Sequence, residues 1–108
     1  MRKYTIDYFI NKFTKIPANK WITNDYSNKA ETKFCALGHC GEREATLTRK
    51  AIFTRETLAL KKIFRDTRFT SITDVNDGNG GYWGLGKTPR TRILKALKSI
   101  KSKLCRQS

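Results

Sequence analysis

The segment that most restricts the fold is the last one, Thr88-Pro89-Arg90 through Leu104. Threonine at an N-cap with proline next is a favoured helix opening. The hydroxyl accepts an orphan amide, and proline lacks an N–H that the first helical position does not use. Beyond it Ile93, Leu97, Ile100 and Leu104 recur every three or four residues, one narrow stripe at about 100° per residue. Such a helix must lie against a core, and the rest of the chain has to build it.

Other segments carry matching signals. Thr5 caps a first helix with Ile6, Phe9, Ile10 and Phe13 on one face, and Pro17 ends it by disfavouring helical geometry at Ile16. A second helix is expected from Ala30 to about His39, with Phe34 and Leu37 beside the small residues Cys35 and Ala36, stopped by Gly41. Thr54 reads as the N-cap of a third helix through Asp66 that buries Leu60, Ile63 and Phe64. The β-branched run Phe69–Val75 points to a short strand. Asn76 to Gly86, with five glycines, is a loop, and Gly41–Lys50 fits no pattern. The expected fold is mainly α: a single small domain of about four helices with one short extended segment. It spans residues 1–108, with an ordered core roughly from 4 to 104.

Charge narrows the function. Lys and Arg number 23 against 9 acids, a formal +14, and residues 78–108 hold eight bases and no acid. A field of that sign draws polyanions and speeds their association. No apolar run approaches the roughly 20 residues that span a bilayer, and Asp7, Asn11 and Lys12 interrupt the N-terminal segment where a secretory signal would be apolar. Three irregularly spaced cysteines, Cys35, Cys40 and Cys105, make a poor disulfide framework and fit reduced thiols in a cytoplasm.

Gly81-x4-Gly86-Lys87-Thr88 matches the phosphate-loop pattern. A working loop also needs a strand leading directly into it, and here "NDGNG" intervenes. Nor does any acid follow Asp77 to hold magnesium. A glycine turn before a Thr-Pro-capped basic helix produces the same letters. The motif is read as a helix cap first and, through Lys87 and Arg90, an anion site second.

Cys35, His39 and Cys40 carry the other chemical side chains. With Cys105 they would use every Cys and His in the chain to complete one zinc site, so buried thiols are expected instead. Cys35, His39 and Asn76 also form a thiol-protease inventory, but a Cys and a His one helical turn apart would compete for the same packing surface. Asn76-Asp77 reads as a turn.

Taken in order, Trp21, Cys35-Ala36-Leu37-Gly38, Asn76-Asp77 and Arg92-Ile93-Leu94 to Leu97 resemble a functionally uncharacterised family of small proteins from bacteria and their phages. The resemblance implies a helical domain and a phage or prophage origin, hence action in a host cytoplasm, and implies no activity. The chain departs from the pattern at His39, where a small residue is expected, and in the longer loop Gly78–Lys87.

The resulting expectation is a non-enzymatic, phage-type accessory protein that binds nucleic acid or a host nucleoprotein complex, for example as an inhibitor of a CRISPR effector. Lys87, Arg90, Arg92, Lys95 and Lys98 would meet phosphate, and Tyr82 and Trp83 would stack on bases. The alternative is a nucleotide sponge, with phosphate at the glycine-rich loop and a base on an aromatic ring. No cofactor, metal or catalytic residue is expected.

Overall fold

In the computed structural model, residues 4–24, 28, 32–44, 51–65, 67–69 and 71–107 are described. The fold is mainly helical, as expected. Helix α1 (Ile6–Thr14) starts where Thr5 Oγ1 accepts the Tyr8 amide at 3.2 Å, and it buries Phe9 and Phe13. A 3-10 turn, Ala18–Lys20, follows Pro17. Helix α2 is short (Ala36–His39), and a two-residue hairpin pairs β1 (Arg43–Glu44) with β2 (Ala51–Ile52). Next come α3 (Arg55–Arg65), α4 (Ile72–Asp77), a 3-10 turn at Tyr82–Leu85, and the long α5 (Pro89–Gln107).

Three threonine caps account for the long helices. Thr54 and Thr57 exchange bonds at the start of α3: the Thr57 amide donates to Thr54 Oγ1 at 3.0 Å and the Thr54 amide to Thr57 Oγ1 at 2.9 Å. Each side chain thereby satisfies an orphan amide of the helix start. Thr88 caps α5 by accepting the Thr91 amide at 3.2 Å. Helix α5 then runs antiparallel to α1. Lys101 reaches Asp7 at the start of α1 (2.5 Å), and Arg90 Nη2 donates to the Thr14 carbonyl at its end (2.9 Å). Ile93, Ala96, Leu97 and Ile100 close the core against Phe9, Phe13, Leu60 and Phe64.

Four expectations need correction. The second helix is helical only from Ala36; Ala30 and Glu31 lie outside the described residues. Phe34 does not bond along a helix, because its amide donates to the Lys20 carbonyl (3.0 Å) and its carbonyl accepts from Ile22 (3.1 Å) in a parallel bridge beside Trp21. From Ile72 onward the segment read as a strand is α4, and Thr70 lies outside the described residues. Ser71 Oγ accepts the Asp74 amide at 3.3 Å and Gly78 ends the helix at φ 76°, so a cap and a left-handed stop override β-branched propensity. The extended structure occurs instead at β1, within the stretch that matched no pattern, and at β2 just after it; the third helix's expected end, Asp66, is outside the described residues. On α5 the apolar stripe outruns the core: Ile100 is buried but Leu104 is 54% exposed.

The elements meet at the C-terminal end of α4. Asn76, 1% exposed, accepts the Ala36 amide at Oδ1 (3.0 Å) and donates from Nδ2 to the Ile22 carbonyl (2.9 Å) and to Asp77 Oδ1 (2.9 Å). Asp77 Oδ1 also takes the Asn24 amide at 2.9 Å. One side chain thus joins α2, the Trp21–Asn24 segment and α4. Asn76→Ala strands the Ala36 amide and the Ile22 carbonyl, which costs about 2–4 kcal/mol. The expected outcome is a melting midpoint lower by about 10 °C or more in thermal denaturation; an unchanged midpoint would mean the junction does not hold the fold.

Candidate polyanion-binding surface

The structure separates the seven residues assigned to binding. Lys87, Lys95 and Lys98 are exposed, and among the described residues none of them has an ion-pair partner. Lys95 and Lys98 lie on the side of α5 opposite its buried stripe. Trp83 is 72% exposed. Tyr82 is half-buried: its hydroxyl donates to the Arg68 carbonyl at 2.9 Å and its ring tilts against Phe69. Arg90 is half-buried too, spending Nη2 on Thr14.

Arg92 is a correction. The sequence groups it with the phosphate contacts, yet it is only 6% exposed. Its Nε lies 3.1 Å from the Val75 carbonyl and 3.2 Å from that of Asn76, Nη2 donates to Asn76 O at 2.8 Å, and Nη1 donates to Gly86 O at 3.0 Å. The carbonyls of Val75 and Asn76 form the negatively polarised C-terminal end of α4, where the Gly78 amide returns to Val75 at 3.3 Å and Arg92 supplies the remaining donors. The planar guanidinium matches them as a fork would a carboxylate. Burial draws its pKa down, and the Asp77 carboxylate partly offsets this. Gly78 belongs to the same fit, since a Cβ there would stand 3.2 Å from Arg92 Cζ.

The phosphate-loop letters have a packing explanation. A helix, α4, leads into the loop rather than a strand. The amides of Tyr82, Gly84 and Gly86 donate within the loop to Asn79, Gly81 and Trp83 at 3.0, 3.3 and 3.2 Å. They are turned away from the work a phosphate cradle needs. A Cβ on Gly86 would approach Thr91 Cγ2 to 2.4 Å, so the first turn of α5 requires glycine there. Thr88 is the cap.

Cys35, His39 and Cys40 are likewise held by structure. Cys35 Sγ accepts the Gly38 amide at 3.3 Å as the cap of α2. Burial pushes the thiols of Cys35 and Cys40 up, and the Glu56 carboxylate adds to the effect on Cys40. Both are kept protonated rather than poised as thiolates. His39 Nε2 lies 3.0 Å from the Lys20 carbonyl, and its ring stands edge-on to Trp21. Against a carbonyl that nitrogen carries the proton. Among the described residues, no group of three or more His, Cys, Asp or Glu could hold a metal ion.

Sequence reasoning did not foresee a cleft of about 150 Å³ between α5 and the turn at Thr67–Phe69, walled by Arg68 on one side and by Ser99 and Lys103 on the other. Arg68 lies over the Phe69 ring at 4.7 Å. Nothing in the order of residues indicates that this turn packs along α5. No family model, curated protein or solved structure matches the chain.

Two outcomes follow from these contacts. Arg92→Lys keeps the charge but loses the fork, so stability should fall by about 1.5–3 kcal/mol in urea unfolding, with α5's outward charge untouched. His39 has its pKa lowered, chiefly by burial, so below about pH 6.5 the unfolded chain binds more protons. Stability is therefore full above that pH and falls as pH drops toward the folded-state pKa. An NMR titration should place the His39 midpoint below 6.5; a midpoint above it would contradict the buried neutral ring.

Proposed function

We propose that the protein is a non-enzymatic binder of nucleic acid, alone or within a nucleoprotein, and that the outward face of α5 is its contact surface. The observation that carries this is Lys95 and Lys98 standing exposed on a helix that has no acid to neutralise them locally. Three other bases have carboxylate partners: Lys12 pairs with Glu56 at 2.7 Å, Lys61 with Glu42 at 2.8 Å, and Lys101, further along α5, with Asp7. Like charges held together in this way are relieved by a polyanion, whose condensed counterions leave on binding. Lys87 extends the surface at the helix start, while Arg92 is taken out of it by its carbonyl partners.

The resemblance to small phage and bacterial proteins supports a phage-type accessory role, with a host-defence nucleoprotein such as a CRISPR effector as one target. A nucleotide sponge draws less support, because the loop amides it would use donate inward. Among the described residues no helix is long and apolar enough to cross a membrane.

Lys95→Glu combined with Lys98→Glu should leave the melting midpoint nearly unchanged, since both side chains are exposed. Affinity for mixed-sequence oligonucleotides should fall at least about tenfold, about 1.4 kcal/mol, and the slope of log K against log salt should flatten by about 1.5. Binding that survives both reversals at low and high salt would reduce the basic helix to a solvated face.

A further inference from the structure

Trp83 has the highest fractional exposure among the large apolar side chains described, yet its backbone is firmly held. Gly80 and Gly81, at φ 60° and 90°, turn the chain into the Tyr82–Leu85 turn, and the amides of Tyr82, Gly84 and Gly86 tie that turn to itself. On either side of Trp83 the loop points inward: Tyr82 packs toward Phe69 and bonds Arg68, and Leu85 packs on the core. A Cβ added to Gly81 or Gly84 would meet nothing within 4 Å, so the space beside the indole is open. An indole kept in water on an anchored turn is a contact group awaiting a partner.

The position of the turn says which partner. Arg92 reaches Gly86, and Tyr82 reaches Arg68, whose turn forms the cleft with Ser99 and Lys103. The Trp83 loop therefore flanks the edge of α5 that carries Arg92, Ser99 and Lys103. At about 100° per residue, Lys95 lies about 60° from Arg92 and about 40° from Ser99 around the helix. The exposed indole and the cations Arg68, Lys95 and Lys103 thus share one side of the molecule. In a duplex the base faces are stacked on one another; in a single strand they are available to an aromatic ring, whichever base is present.

We infer that the ligand is single-stranded nucleic acid, with one base stacked on Trp83 and the phosphates running along Lys95 toward Arg68 and Lys103. This rests on the reading of α5 as the binding surface and adds strand selectivity to it. The protein supplies its own probe. Trp21 is 5% exposed with its ring against Phe13 and His39, whereas Trp83 is open, so a base stacked on the indole quenches the solvent-exposed part of the emission.

The test uses the full chain with a labelled single-stranded oligonucleotide of about 12 residues and with the same sequence as a duplex, read by anisotropy and by tryptophan emission. Expected are tighter binding of the single strand and quenching that Trp83→Phe abolishes. Trp83→Ala should weaken single-strand binding about tenfold, leaving duplex affinity and melting midpoint unchanged, while Trp83→Phe retains part of the affinity. Lys-dependent, salt-sensitive binding with no quenching and no effect of Trp83→Ala would overturn the stacking proposal and leave the basic face standing. Equal loss of single-strand and duplex affinity in Trp83→Ala would overturn strand selectivity. Absence of binding to either oligonucleotide would overturn both readings together.

Discussion

The elements of this fold converge on the buried carbonyls at the C-terminal end of α4. A helix of six residues cannot satisfy its last carbonyls internally, and burying them unpaired would cost more than so short a helix contributes. Arg92 resolves this from α5, and its fork also fixes Gly86. Asn76 turns the other side of the same helix end into a clamp on Ala36 and Ile22. Removing either side chain exposes a fault shared by several elements, because α2, α4, α5 and the segment after Trp21 are all referenced to this one place.

The positive charge is therefore of two kinds. Lys12, Lys61, Arg92 and Lys101 are held by Glu56, Glu42, the α4 carbonyls and Asp7. They are parts of the fold. Lys87, Lys95 and Lys98 are outside those pairs and stand in water. Net charge alone does not draw this line; the positions of the acids and of the helix ends do.

Legibility in the sequence followed the same division. The starts of α1, α3 and α5 were readable because Thr5, Thr54 and Thr88 act locally, on amides three residues away. Helix α4 was not readable as a helix. Ile72, Thr73 and Val75 weigh toward extended structure and mask the local Ser71 cap and Gly78 stop, while the contacts that hold the helix end, to Ala36, Ile22 and Arg92, are distant in sequence. The same distance hid Arg92. Its place off the apolar stripe of α5 looks like solvent on a helical wheel, which records hydrophobic burial and is blind to a polar group buried against carbonyls. Of the candidate site, Lys95, Lys98 and Trp83 were legible from charge and loop composition; the Arg68 cleft was not, since it depends on how a turn packs.

The ordered residues that carry the family resemblance acquire a physical meaning from this junction. Trp21 opens the segment whose next residue, Ile22, accepts from Asn76; Cys35 caps the helix whose first amide, on Ala36, donates to it; and Arg92 closes the helix end that follows. A pattern of this sort specifies an architecture and is silent on a ligand. The glycine loop between Asp77 and Lys87 obeys a different constraint. Gly78 makes room for Arg92, and Gly86 makes room for Thr91. Between them Tyr82 bonds Arg68 and Leu85 packs on the core, whereas the Trp83 side chain stands exposed. The loop's backbone and its inward side chains serve the fold, and the indole is the part of it that packing does not account for.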